Sequence, residues 1–216
     1  MPKLTVFNQI TLDGYFTGEN GDLRWAHTRR TEDPEWHSFI EGNARSGAVL
    51  VFGRVTYDMM ASYWPTPEAR KKDPVVAKQM NELPKIVFSK SLQKVEWNNT
   101  RVVKGDPATE MRKLKQGAGE DMVIFGSGSI VSQLAQAGLI DEYQLIVVPV
   151  VLGKGRSMFE GIEQQITMKP TKSRSFRNGN ILLCYEPSRE GEAGAEVKRS
   201  ATARSARRGA GTPSRR

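Results

Sequence analysis

The sequence predicts an α/β domain with a mostly parallel central sheet and a C-terminal antiparallel hairpin. Two observations lead to this fold class. As far as residue 141, short and continuously apolar runs alternate with amphipathic segments, as buried parallel strands alternate with helices. From Glu142 onward the helical pattern stops, and two β-rich segments are joined by Asn178-Gly179-Asn180, a composition typical of a tight turn between antiparallel strands.

The individual elements follow from the same patterns in chain order. Strands are predicted at residues 3–11, 48–53, 85–89, 101–105, 121–126 and 142–152, and hairpin strands at 171–176 and 181–186. Helices are predicted at residues 33–44, 54–64, 75–82, 107–116 and 129–137. Asp106-Pro107 is typical of a helix start and Gly138 of a helix end. Residues 12–25 form a predicted polar loop, with the composition of either a mobile lid or a merely flexible connection.

The positive charge of the chain is concentrated at its C-terminal end. The formal net charge is +8, and residues 188–216 carry eight Lys or Arg residues against three Glu. Val197 is the one large apolar residue in this segment, so the segment cannot bury enough surface to offset the entropy of ordering. We therefore predict a globular domain at residues 1–187 and a disordered basic tail at residues 188–216. We expect this tail to be solvated rather than to bind nucleic acid.

The chain is predicted to be a soluble cytoplasmic protein. Cys184 is the one cysteine, so an intramolecular disulfide is impossible, and a buried core position suits this residue better than a nucleophilic role. The first residues lack the charged and apolar regions of a signal peptide. The most apolar run, residues 145–153, is too short to span a membrane.

Two strand-to-helix junctions are candidate phosphate-binding sites. The first is Gly53-Arg54-Val55-Thr56 and the second is Gly126-Ser127-Gly128-Ser129. Glycine lets a ligand approach the backbone, and the first turn of a helix directs free amides and the positive end of the helix dipole outward. Arg54 and Thr56 add hydrogen-bond donors that suit a phosphate. An ordinary turn also explains each junction alone, but two junctions suit a dinucleotide, which has two phosphate regions.

Other common sites are excluded by the residues that they require. The usual dinucleotide fingerprint fails because Val131 stands in place of the third glycine, and no P-loop sequence is present. The two histidines, His27 and His37, lack the spacing of a metal site, so no metal is predicted. A single cysteine cannot form a zinc-deaminase site. The serines of the second junction do not fit the G-x-S-x-G motif of a hydrolase.

The chain resembles the dihydrofolate-reductase-like superfamily in four segments: ITLDGYFTGENGDLRW, VFGRVTYDMM, KIVFSKS and FGSGSIVSQLAQAGLIDEYQLIVVPVVLGKGRSMFEG. Within that superfamily it resembles the RibD C-terminal domain, the NADPH-dependent reductase of riboflavin biosynthesis, and its stand-alone bacterial relatives. The resemblance covers Lys3 to about Pro187. It implies a three-layer α/β/α fold, NADPH as the cofactor, a small-molecule substrate and a homodimer.

The resemblance also implies roles in cofactor binding. Gly53, Arg54 and Thr56 match the junction that holds NADPH phosphates, with Arg54 beside the adenosine 2′-phosphate. Ser89 matches a position that flanks the adenosine ribose, where Lys90 adds positive charge. The residues that match the turn against the pyrophosphate are Gly126, Ser127, Gly128 and Ser129.

Asp13 and Glu35 are the candidate catalytic residues. By resemblance, Asp13 matches an aspartate beside the nicotinamide and the substrate, although an Asp-Gly turn also explains it. Folate-reducing members carry an acidic residue on the first helix, for which Glu35 is the candidate. The local sequence EDPEWHSF does not match that pattern cleanly, which argues against dihydrofolate as the natural substrate. Either carboxylate would anchor the substrate or supply a proton while the nicotinamide supplies a hydride.

The sequence therefore predicts an NADPH-dependent oxidoreductase that acts on a pyrimidine- or pterin-like substrate, similar to 5-amino-6-(5-phosphoribosylamino)uracil reductase. Three alternatives remain open: a dihydrofolate reductase-type activity, an NADPH-binding protein without turnover, and a nucleic-acid-binding protein led by its tail. The run YQLIVVPVVLG adds a second reason to expect a homodimer. Pro149 suggests that this strand lies at an edge of the sheet. Because an exposed apolar edge strand invites aggregation, a symmetric partner is expected to cover it.

Overall fold

The computed structural model describes residues 1–27 and 33–188, so the predicted tail lies outside the described residues apart from Ser188. The strands are β1 (Leu4–Thr11), β2 (Tyr15–Thr17), β3 (Val49–Gly53), β4 (Lys85–Phe88), β5 (Thr100–Val103), β6 (Met122–Phe125), β7 (Glu142–Val148), β8 (Arg156–Ser157), β9 (Met168–Ser175) and β10 (Ile181–Pro187). The helices are α1 (Pro34–Ala44), α2 (Arg54–Tyr63), α3 (Pro67–Lys72), α4 (Pro74–Glu82), α5 (Pro107–Gln116) and α6 (Gly128–Gln136).

Across the described ranges, eight strands form one sheet in the order β5-β4-β3-β6-β1-β7-β10-β9. The strands from β5 to β7 in that order are parallel, whereas β10 pairs antiparallel with both β7 and β9. The central strands β3 (VLVFG) and β6 (MVIF) are continuously apolar because helices cover both faces of the sheet there. The predicted fold class, a mostly parallel sheet with an antiparallel hairpin, is confirmed.

Helices cover the two faces of the sheet and form the outer layers. On one face, α5 and α6 contribute Met111 and Leu134 to the core. On the other face, α1, α2 and α4 contribute Trp36, Tyr57 and Met80. These side chains are at most 7% exposed, as expected for the apolar stripes of amphipathic helices that pack on a sheet. The molecule therefore has three layers, α/β/α. Among the described residues, no helix is long and apolar enough to cross a membrane.

The helix boundaries follow the predicted capping residues. Asp106 precedes α5, and its side chain accepts a hydrogen bond from the Thr109 amide at 2.8 Å. Asp33 caps α1 in the same way and also accepts from the Asn178 amide at 3.1 Å, which ties α1 to the C-terminal hairpin. Gly138 follows α6 with a φ of +64°, a conformation that favours glycine.

Five short elements among the described residues were not predicted from the sequence. The polar loop after β1 contains β2, which pairs with β8 some 140 residues later along the chain, and two 3-10 turns at Glu19–Gly21 and Arg24–His27. The short helix α3 follows α2; Thr66 caps it and Pro67 occupies its first turn. Proline is tolerated there because the first amides of a helix have no intrahelical acceptor.

The prediction that β7 extends to residue 152 and lies at a sheet edge is wrong. β7 ends at Val148 and lies between β1 and β10. Pro149 follows the last paired residue, where its missing amide hydrogen costs no hydrogen bond of the sheet. Because β7 is covered on both sides, an exposed apolar edge gives no reason to expect a dimer.

Candidate functional site

The two predicted phosphate-binding junctions are in direct contact with each other. They follow the neighbouring strands β3 and β6. The Gly53 amide donates to Ser127 Oγ at 2.6 Å, and the Ser127 amide donates to Thr56 Oγ1 at 3.0 Å. Ser127 Oγ also donates to Thr56 Oγ1 at 3.0 Å. Residues that are 74 positions apart are thus fixed in one buried network at the carboxyl edge of the sheet.

The glycines of the junctions are needed for this close approach. Gly126 has a φ of +59°, and a Cβ added there would lie 2.7 Å from Thr56 Oγ1. A Cβ on Gly53 would lie 3.0 Å from Ser127 Oγ. Gly128 faces the loop after β1, since a Cβ there would lie 3.1 Å from the Phe16 ring. The glycines therefore serve the packing of the two junctions and of the loop, in addition to any contact with a ligand.

Asn8 is a structural partner of the second junction that was not identified from the sequence. Its side chain accepts from the Gly126 amide at 2.6 Å and donates to Met158 Sδ at 3.2 Å. Asn8 is only 5% exposed and stands in the apolar strand β1. A buried amide in a strand requires hydrogen-bond partners, so its position in LTVFNQIT was the available signal.

Helices α2 and α6 both begin at this edge of the sheet without a capping side chain. The N-cap of α2 is Gly53, which has no side chain to cap the helix. The N-cap of α6 is Ser127, whose side chain makes no capping hydrogen bond to α6. Ser127 has a φ of +57°, which turns the chain sharply into α6. Two helix N-termini with free amides, held side by side, form a region that attracts anions.

Basic and hydroxyl side chains lie next to these helix starts. Arg54 donates to Ser91 Oγ at 2.6 Å and to Asp58 at 3.4 Å, and its side chain is half exposed. Ser89 Oγ accepts from the Leu92 amide at 3.0 Å and so fixes the turn after β4. Lys90 is the neighbouring cation in that turn and is exposed. Ser91 was not identified from the sequence.

A cavity of about 1650 Å³ begins at the junctions and continues along the sheet face covered by α1, α2 and α4. A typical small-molecule pocket has roughly 300–1,000 Å³, so this cavity has room for a dinucleotide and a second molecule. We call its two parts the junction end and the sheet-face end. The junction end contains all nine residues predicted to bind the cofactor: Gly53, Arg54, Thr56, Ser89, Lys90, Gly126, Ser127, Gly128 and Ser129. The sheet-face end is lined by Phe7, Gln9, Trp25, Trp36, Ile40 and Asn180.

Asp13 is not among the residues that line the cavity. Its carboxylate accepts from the Thr11 hydroxyl at 2.6 Å and from the Gly153 and Leu152 amides at 2.8 and 3.1 Å. The Thr11 hydroxyl and then the Gly153 amide hold the pKa of the Asp13 carboxyl below its ordinary value. Asp13 therefore joins the turn after β1 to the segment that follows β7.

Glu35 also lies outside the cavity lining. It is in the first turn of α1, and its carboxylate pairs with Arg174 of β9 at 3.3 Å. Both side chains of this ion pair are partly exposed. The structure thus brings the predicted cofactor residues together but does not bring either predicted catalytic carboxylate to the cavity wall. Among the described residues, no group of three or more His, Cys, Asp or Glu side chains is arranged to hold a metal ion.

Comparison with known proteins assigns the fold and the family. The sequence matches the RibD C-terminal domain over residues 2–182. It is 29% identical over 176 residues to the uncharacterized protein YyaP of Bacillus subtilis (strain 168), and this match covers 82% of this chain and 90% of YyaP.

A putative riboflavin biosynthesis protein from Shewanella sp. PV-4 has a similar structure, with a TM-score of 0.66 and 24% identity over 87% of this chain and 99% of that one. Dihydrofolate reductase from Enterococcus faecalis, complexed with NADP(H), has a TM-score of 0.53 and 15% identity over 87% of this chain and 97% of that one. The fold is that of the dihydrofolate-reductase-like proteins, and the chain belongs to the RibD C-terminal domain family.

Proposed function

We propose that this chain is an NADPH-dependent reductase that transfers a hydride to a pyrimidine- or pterin-like substrate. The observation that carries this function is the pair of uncapped helix N-termini at the junction end of the cavity. The Gly53–Ser127 hydrogen bond fixes them side by side. An anion between the two N-termini would accept hydrogen bonds from free backbone amides of both helices, and the pyrophosphate of a dinucleotide is such an anion.

The proposed cofactor contacts use the junction end throughout. Gly126 to Ser129 would face the pyrophosphate through their backbone. Arg54 would bind the adenosine 2′-phosphate, because a guanidinium forms two parallel hydrogen bonds to such a group. Ser89 would flank the adenosine ribose, and Lys90 would add positive charge there. The Arg54–Ser91 hydrogen bond at 2.6 Å holds the guanidinium close to that turn before any ligand arrives.

The cofactor, when bound, would supply the hydride from its reduced nicotinamide. The residues of the sheet-face end would orient the substrate, since Trp25 and Trp36 are buried and present aromatic surface to the cavity. We assign Asp13 a positioning role, because its carboxylate is already bound by a hydroxyl and two amides. Glu35 would contribute an ion pair on the surface rather than a proton.

Membership of the RibD C-terminal domain family supports a reductase of this type, and so does the likeness in fold to a dihydrofolate reductase complexed with NADP(H). On the family resemblance we further propose a cytoplasmic homodimer. Light scattering at working concentration tests the homodimer, and a monomer there would contradict it.

The function is tested by NADPH binding and NADPH oxidation with the full-length chain. Binding is followed by the change in nicotinamide fluorescence, and oxidation by the loss of NADPH absorbance. The substrates are the ribosylamino-pyrimidine of the riboflavin pathway and dihydrofolate. We expect binding of NADPH and turnover with the pyrimidine. NADPH binding without turnover on either compound would leave a nucleotide-binding protein, and no binding would contradict the proposal.

A further inference from the structure

Two buried amide oxygens at the sheet-face end have no hydrogen-bond partner among the described residues. They are Gln9 Oε1 and Asn180 Oδ1. Both residues line the cavity, and Asn180 is only 5% exposed. The third unpaired atom, Asn178 Nδ2, belongs to a residue that does not line the cavity. Most buried side-chain polar atoms in proteins are paired, so two unpaired ones in a single cavity require an explanation.

The strand register places these two residues on one face of the sheet. Gln9 of β1 pairs with Ile146 of β7, which pairs with Leu182 of β10. Asn180 comes two residues before Leu182, so its side chain faces the same side of the sheet. Val148 of β7 also lines the cavity there. The two amides are thus separated by strand β7 and are offset by two residues along the strands.

The surroundings of these amides are apolar and aromatic. Phe7, Trp25, Trp36 and Ile40 line the same end of the cavity. Among the described lining residues, the carboxylates are Glu19, in the loop after β2, and Asp73, which precedes α4, and neither belongs to β1 or to the C-terminal hairpin. The nearby carboxylate of Asp33 is buried outside the cavity lining and already accepts from the Glu35, Trp36 and Asn178 amides. A positively charged ring would therefore meet no carboxylate of the cavity wall here, whereas a flat neutral ring could stack on the aromatic side chains.

We infer that Gln9 and Asn180 are specificity-determining residues that bind the N–H edge of a neutral heterocyclic lactam at the sheet-face end. This inference rests on the proposed function and adds the recognition of the substrate ring. A side-chain amide complements a lactam, because each presents an N–H donor beside a C=O acceptor. A buried amide oxygen without a partner destabilises the ligand-free protein, and a ligand N–H would remove that cost on binding.

The test uses a matched pair of probes and a matched pair of variants. The probes are lumazine, whose pyrimidinedione ring has two N–H groups, and 1,3-dimethyllumazine, which has none. The variants are Gln9→Met, which keeps the length of the side chain but removes the amide, and Gln144→Met as its control. Gln144 lies on the neighbouring strand β7, outside the cavity lining, and its side chain donates to Glu142 at 3.0 Å.

We expect the wild-type protein to bind lumazine about tenfold more tightly than its dimethyl derivative, measured by probe fluorescence at a pH where lumazine is uncharged. Gln9→Met should abolish this preference without lowering the midpoint of thermal unfolding, and Asn180→Leu should reduce it. Gln144→Met should keep the preference.

Equal binding of the two probes by the wild-type protein, or no binding of either, would overturn the inference. It would also be overturned by a Gln9→Met variant that is less stable yet still prefers lumazine, since Gln9 would then be structural. These measurements need no NADPH. A protein that fails to bind NADPH but still distinguishes the probes would remove the proposed reductase and leave the recognition of the ring intact.

Discussion

The two ends of the cavity differ in how their polar groups are satisfied before a ligand binds. At the junction end, the hydroxyls of Thr56 and Ser127 and the amides of Gly53 and Ser127 are all paired within the protein. At the sheet-face end, Gln9 and Asn180 each keep a buried oxygen that has no partner within residues 1–27 and 33–188. The first arrangement is a rigid support that presents helix amides. The second leaves hydrogen-bonding capacity for a ligand, at a cost to the stability of the ligand-free protein.

The largest effect is expected from Gly126→Ala, which disrupts the hydrogen bonds among Gly53, Thr56 and Ser127. Its φ of +59° disfavours alanine, and the added Cβ would lie 2.7 Å from Thr56 Oγ1. We expect NADPH affinity to fall by about 100-fold or more, because the start of α6 would be displaced from the phosphate. Fluorescence titration measures this loss. Gly138→Ala is the matched control, since Gly138 has a similar φ of +64° but an added Cβ there would meet nothing within 4 Å. Equal affinity losses in both variants would show that backbone strain alone is responsible.

Arg54→Ala tests whether the junction end recognises a second phosphate. We expect NADPH binding to weaken by about 1.5–3 kcal/mol, the usual contribution of hydrogen bonds to a charged group. NADH binding should stay nearly unchanged, because NADH lacks the 2′-phosphate. Arg45→Ala, at an exposed ion pair with Glu41, is the control. If both cofactors lose affinity equally, Arg54 has a structural role.

The contrast between the two ends predicts stability changes of opposite sign. Thr56→Val leaves the buried Ser127 amide without its acceptor, so the free energy of unfolding should fall by about 1–3 kcal/mol. Gln9→Met removes an unpaired atom, so the free energy of unfolding should stay the same or rise. Urea unfolding measures both. Thr100→Val, at the edge strand β5, should change stability by less than about 0.5 kcal/mol. If Thr56→Val and Gln9→Met both lower the free energy of unfolding, the proposed difference between the two ends of the cavity is wrong.

The smallest effect is expected from Asp13→Asn. Because the carboxylate is held by Thr11, Leu152 and Gly153 outside the cavity lining, turnover should fall by less than about tenfold, and NADPH affinity should not change. A fall of about 10²–10⁴-fold would instead support a role in proton transfer. Steady-state kinetics decides between the two.

The same variant has a pH signature. The folded-state pKa of Asp13 lies below 3.8, so its contribution to stability is present above that pH and is lost as the pH falls through the folded-state value. In Asp13→Asn, the free energy of unfolding should therefore fall less as the pH is lowered than it does in the wild-type protein, as measured by urea unfolding at a series of acidic pH values. The same pH dependence of stability in both proteins would show that the hydrogen bonds accepted by Asp13 do not contribute to stability.

The sequence by itself determined the class of fold and the position of the junctions. Continuous apolar runs such as VLVFG predict strands buried on both faces, and Asp106-Pro107 predicts a helix start, because each signal depends on a few neighbouring residues. The junction glycines were found in the same way. Resemblance then grouped the nine residues that are predicted to bind the cofactor, and all nine line one cavity.

Only the tertiary structure decided which distant residues share a hydrogen bond. Gly53 and Ser127 are 74 residues apart, Asp13 and Gly153 are 140 apart, and the interior position of β7 depends on where β10 returns to the sheet. That the described part of the chain offers no partner to Gln9 Oε1 and Asn180 Oδ1 depends in the same way on everything packed around them. Local patterns cannot contain this information, because the free energy of such contacts arises only when the folded chain brings separate segments together and excludes water from between them.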